Sequence, residues 1–108
     1  EHDRVLAETS HLPHLLAYGL VDTLATLDEK AEIFRYAAGG FRDFTRIASS
    51  NPQMWHDICL ANREALVESL ERFTTDLHTL TEAIRRQDSQ RLLELFRHAK
   101  QRRDDFCQ

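Results

Sequence analysis

The sequence predicts an all-α fold, a bundle of long helices that closes as an intertwined homodimer. Three observations carry this. Only three Gly and two Pro occur in 108 residues, so long regular elements go uninterrupted. No segment sustains the period-two alternation of a strand. Leu66, Leu70, Phe73, Leu77, Leu80 and Ile84 follow a 4-3-4-3-4 spacing, the seam of helix-on-helix packing. Helices of roughly 20 residues in so short a chain bury too little on their own. An obligate homodimer packed across a two-fold axis is therefore expected, with a monomeric bundle as the alternative.

The elements follow in order. Asp3 to Thr9 reads as a short helix. Ser10 then caps the next one and places Pro13 in its first turn, or else a single helix runs through and kinks at Pro13. Leu15 to Val21 is apolar almost all round and demands cover on most sides. Asp28 or Glu29 opens another helix, with Gly39-Gly40 as its left-handed stop. Asp43 caps a short turn over Phe44 to Ala48. Asn51 before Pro52 pairs a cap with a first-turn proline, a strong start signal. Asp88 caps a last helix with Leu92, Phe96, Ala99 and Phe106 on one side. The polar turn Arg86-Gln87-Asp88 makes an antiparallel hairpin with the seam helix.

Bulk properties exclude several function classes. The chain is 42% apolar and 30% charged, with a net charge of -4. Residues 1–61 hold nine acids against five Lys/Arg, and residues 62–108 hold nine of each. No basic stripe results, so nucleic acid is not an expected partner. No apolar run approaches membrane length, so no membrane partner is expected either. Cys59 and Cys107 have no context suggesting a disulfide, which fits a reducing, cytoplasmic setting. Glu1-His2-Asp3 begins inside an apparent helix start, the mark of a domain cut from a longer chain.

Two polar clusters stand out in apolar surroundings: Ser10-His11-Leu12-Pro13-His14, and Gly39-Gly40-Phe41-Arg42-Asp43-Phe44-Thr45-Arg46. Polar groups this dense are costly to bury unless they bind something, and together they read as a site for an anionic small molecule. Arg46 follows Asp43 by three residues and shares its helical face. Its guanidinium fork matches a carboxylate, while the plainer role is a surface ion pair worth under about 1 kcal/mol. Gly39 and Gly40 either let backbone N–H groups approach a ligand or simply end a helix. His11 and His14 face the same way on a helix; one can donate to a ligand, or one packs and one caps. Trp55 reads as a core or interface anchor. His11-x-x-His14 with His56-x-x-Cys59 offers four zinc ligands on paper. No acid orients the first pair and such sites use more cysteine, so no metal is expected. There is no GxGxxG after a strand, no P-loop and no nucleophile elbow, so the chain alone binds no dinucleotide.

Taken in order, His2-Asp3, Ser10 to His14, Gly39 to Ala48, Met54-Trp55 and Asp57-Ile58 resemble the C-terminal domain of the prephenate dehydrogenase family. The match covers roughly residues 2–62 by motif, and the tail agrees in character. The resemblance implies a fold like the C-terminal domain of 6-phosphogluconate dehydrogenase. It makes residues 1–108 a single helical dimerisation and substrate-binding domain of a longer enzyme, whose N-terminal Rossmann domain binds NAD or NADP. The implied reaction is oxidative decarboxylation of prephenate to 4-hydroxyphenylpyruvate in tyrosine biosynthesis, with arogenate as the other possible substrate. By resemblance, Arg46 clamps a substrate carboxylate and His14 helps hold the substrate. His11, Ser10 and Gly39 line the pocket, Asp43 and the His2-Asp3 pair position these groups or gate access, and Trp55 reaches the partner subunit's site. The catalytic histidine belongs to the N-terminal domain, so no residue here takes that role and the isolated domain is inactive. The competing reading is a non-catalytic, all-helical homodimeric interaction module.

Overall fold

The computed structural model describes residues 2–27 and 39–107, and every element in it is helical. The helix expected from Asp28 or Glu29 lies outside the described residues. Packing separates into two compact units, residues 1–70 and 71–108.

Unit 1 opens with α1 (His2–Leu6), a π-helical turn (Ala7–His11) and α2 (Leu12–Leu27), which follow one another without a break. Of the two expectations, the through-running helix is correct and the Ser10 cap is not. In the widened turn the Leu12 N–H reaches back five residues to the Ala7 carbonyl. Pro13 follows directly. It has no N–H to give the Thr9 carbonyl, and its ring would crowd that group in an ordinary α-turn. A π turn just ahead of the proline absorbs that irregularity.

After α2 come α3 (Gly39–Thr45) and a 3-10 turn (Arg46–Ser49), both packed against α2. Gly39 and Gly40 begin α3 and neither has a positive φ, so they do not form the expected left-handed stop. Glycine permits that conformation without requiring it, and here both residues lie in a right-handed helix. Asp43 sits inside α3, and no side chain caps the 3-10 turn.

Then α4 (Pro52–Ala61) starts as the sequence specifies. The Asn51 side-chain oxygen accepts from the N–H groups of Gln53, at 2.9 Å, and Met54, at 3.2 Å. α5 (Arg63–Arg85) carries the leucine seam out of unit 1 and into unit 2. The core of unit 1 is Ala7, Ala17, Trp55 and Leu66. Tyr18 ties α2 to the end of the 3-10 turn by donating to the Ser50 carbonyl at 2.6 Å.

Unit 2 is a hairpin of the distal part of α5 and α6 (Ser89–Phe106), with the Asp88 carboxylate capping α6 at the Arg91 N–H, 3.1 Å. The turn closes on Gln87, at φ 55°, the left-handed region. The Asp88 N–H reaches the Ala83 carbonyl at 2.9 Å and the Gln87 N–H reaches Ile84 at 3.1 Å. This pair of bonds is a Schellman closure with glutamine where glycine is usual. Ala83 is the buried apolar residue of this unit, and a cleft of about 330 Å³ separates Phe73, Leu77 and Leu80 of α5 from Leu95 of α6.

Candidate functional site

Trp55 organises the polar cluster of unit 1. The asparagine cap and the proline set the start of α4, and Trp55 follows on its first turn, 7% exposed. His14 stacks on the indole at 4.0 Å between centroids with 20° between planes. His11 meets it edge-on at 5.7 Å and 82°. The three-residue spacing expected to align the two histidines does so, onto a ring 41 residues beyond His14. Trp55 packs against these two rings within its own chain. Its indole N–H is buried and has no acceptor among the described residues.

Each imidazole is held at Nδ1. That of His14 lies 2.9 Å from the Ser10 carbonyl, so Ser10 takes part through its backbone. That of His11 lies 3.3 Å from the amide nitrogen of Asn62, which also donates to the Asp3 carbonyl at 2.9 Å. Asp3 thus joins the cluster by its main chain, while its neighbour His2 is exposed. Beside this tie an open cleft of about 670 Å³ is lined by Asp3, Arg4, Asn62, Arg63, Glu64 and Glu68, a set of mixed charge.

The second cluster is not brought into the packed site. Arg46 is exposed, and no ion pair joins it to Asp43 among the described residues. The expected shared face is lost because α3 ends at Thr45 and the tighter 3-10 turn begins at Arg46. Of the apolar residues that suggested a packed segment, Phe41 and Ile47 are half-buried while Phe44 is 52% exposed. Gly39 is exposed too, and a Cβ there would meet nothing within 4 Å.

His56 points its Nδ1 at the neighbouring Asp57 carboxylate, 3.0 Å away, and both are exposed. That hydrogen bond, with a second from Gln53, holds the Asp57 carboxyl below the usual carboxylate range. Among the described residues no three potential metal ligands converge. Nor is any described helix long and apolar enough to cross a membrane.

Two residues of this cluster escape sequence reasoning, Asn62 and Tyr18. Asn62 stands between two helical patterns, where a polar residue signals only a break. Tyr18 lies in an apolar run whose one hydroxyl demands an acceptor, a signal that could have been read.

The chain is similar to several known proteins. Residues 1–98 match the family described as prephenate dehydrogenase, dimerization domain. Over 104 residues the chain is 47% identical to the cyclohexadienyl dehydrogenase of Zymomonas mobilis subsp. mobilis, covering 94% of this chain and 36% of that enzyme. The prephenate dehydrogenase of Bacillus subtilis is 38% identical over 105 residues, 96% of this chain and 28% of its own. The structure of prephenate dehydrogenase from A. aeolicus in complex with hydroxyphenyl propionate and NAD+ superposes with a TM-score of 0.91 at 42% identity. That match covers 97% of this chain and 37% of the other. The chain therefore spans about a third of the length of these relatives. On these grounds the chain belongs to the prephenate dehydrogenase dimerization-domain family.

Proposed function

We propose that this chain is the substrate-binding and dimerisation part of a cytoplasmic prephenate dehydrogenase. The activity is NAD-dependent oxidative decarboxylation of prephenate to 4-hydroxyphenylpyruvate. The observation that carries the reading is the convergence of His11 and His14 on Trp55, in a chain of this family. A half-buried pair of imidazoles with Nε2 atoms unpartnered among the described residues is suited to grip an oxygen-rich ligand. Family membership and the relatives' names support the choice of a cyclohexadienyl acid.

Among the described residues there is neither a strand nor a glycine-rich strand-to-helix turn. The NAD or NADP site is assigned to an N-terminal Rossmann domain, and no step is derived through it. The part played by this chain is to hold a dianion in register. Arg46 supplies a forked cation for one carboxylate, worth roughly 2–3 kcal/mol once dry. Its exposure fits a role that begins when another subunit or domain closes over α3 and the 3-10 turn. Gly39, at the start of α3, leaves open space for that approach, and the gating role that the resemblance implies is assigned to the exposed Asp43 and His2.

Arg46→Ala in the full-length enzyme tests this cleanly, because an exposed side chain with no ion pair among the described residues contributes little to folding. The expected result is a KM for prephenate raised at least tenfold with an unchanged melting temperature. A wild-type KM, or a loss of stability without loss of affinity, favours the non-catalytic module instead.

A further inference from the structure

Hydrogen-bond chemistry fixes the proton on each imidazole of the cluster. The Asp3 carbonyl only accepts, so the amide group 2.9 Å away must be the NH2 of Asn62 and not its oxygen. One N–H serves Asp3. The other meets His11 Nδ1 at 3.3 Å, which must then offer a lone pair. Neutral His11 therefore carries its proton on Nε2. The reverse holds for His14. Its Nδ1 lies 2.9 Å from the Ser10 carbonyl, which again only accepts, so Nδ1 carries the proton and the neutral ring has a bare Nε2. Two imidazoles on one indole are thus set in opposite tautomers.

We propose that Asn62 is a positioning residue of the substrate site: its amide holds His11 as the Nε2–H tautomer, so that neutral His11 donates to an oxyanion of the ligand. The proposal rests on the substrate reading of His11 given above. Its chemical logic is one of matching. A carboxylate oxygen is an acceptor and is repelled by a bare imidazole nitrogen. Without Asn62 the His11 ring divides between two tautomers, of which one faces the ligand with a lone pair. Asn62 comes from the joint between α4 and α5, and its second N–H is anchored on the α1 backbone. The tautomer is thereby tied to the packing of three helices and not to a mobile surface group. Aspartate at this position would do the opposite. It can only accept, so it would repel the Asp3 carbonyl and draw the His11 proton to Nδ1.

The test uses the full-length enzyme with nitrogen-15-labelled histidine, with His11 assigned by the signal lost in His11→Gln. In the wild type, His11 should give the Nε2–H pattern at neutral pH. Asn62→Asp should move the proton to Nδ1 or charge the ring, and Asn62→Ala should average the tautomers. In steady-state assays Asn62→Ala should raise KM for prephenate about tenfold, more than it lowers kcat. A wild-type His11 protonated at Nδ1 overturns the proposal, as does a tautomer unmoved in both variants. If Arg46→Ala raises KM while Asn62→Ala does not, the positioning role fails and the substrate reading stands. If neither raises KM, the substrate reading has failed and the proposal falls with it, even where the tautomer behaves as described.

Discussion

Trp55 takes the place that a core leucine holds in most small helical domains, and it brings chemistry with it. Its two neighbours are imidazoles, so the group that fills the interior of unit 1 also fixes the orientation of His11 and His14. Truncation to alanine should cost about 3–5 kcal/mol, a large part of a small domain's stability. Trp55→Phe should cost less, since it keeps a ring under His14 and removes a buried N–H that lacks an acceptor among the described residues. Thermal unfolding of the two variants should rank them in that order, and Trp55→Ala should also lose substrate affinity. The histidine pair was legible in the sequence because a three-residue spacing is a local property of a helix. Asn62 was not legible: it lies 51 residues from His11, and only folding brings them together. Arg46 misled in the other direction. Aromatic neighbours suggested burial, but burial depends on what covers the segment, and in this chain Phe44 and Arg46 stay open.

Elements started by side-chain caps were legible. Asn51-Pro52 and Asp88 each satisfy free backbone donors within three residues, so no distant partner is needed to decide them. The features that were missed are ones in which the backbone departs from habit without a marker. The π turn at Ala7–His11 uses ordinary residues, and its only hint is the proline two positions later. Gly39-Gly40 carries the usual signature of a helix end and lies in a right-handed helix instead. Gln87 is the converse, a left-handed residue without glycine. A Cβ in that conformation costs roughly 1–2 kcal/mol, partly offset by the greater freedom glycine brings to the unfolded chain. Gln87→Gly should therefore stabilise the hairpin by about 0.5–1 kcal/mol, seen as a small rise in melting temperature with unchanged kinetics. A fall would mean that the Gln87 side chain makes a contact worth more than the strain.

Among the described residues, many large apolar side chains stay exposed. The seam was read as a packing surface, yet of its residues along α5 only Leu66 is buried among the described residues, and Ile84 remains 58% exposed. Leu77, Leu93 and Phe96 are exposed as well, and Phe106 is 72% exposed with Arg102 over its ring at 5.4 Å. Apolar burial is worth about 25 cal/mol per Å², so leaving such side chains in water forfeits most of the driving force a hairpin of this size can muster. A second copy is the occupant that the dimerization-domain family favours, and a two-fold axis would let the same seam cover itself. On that reading the full-length enzyme should sediment as a dimer at micromolar concentration, and its melting temperature should rise with protein concentration. Leu77→Asp with Phe96→Asp should shift it towards monomer and lower its melting temperature. The same pair of substitutions should leave His11, His14 and Trp55 folded, because those residues belong to unit 1 and the substitutions to unit 2. Loss of prephenate turnover in such a folded monomer would place part of the substrate site across the two-fold axis, where Arg46 and Gly39 gain the cover they lack alone. Full turnover by the monomer would instead assign that cover to the N-terminal domain of the same chain.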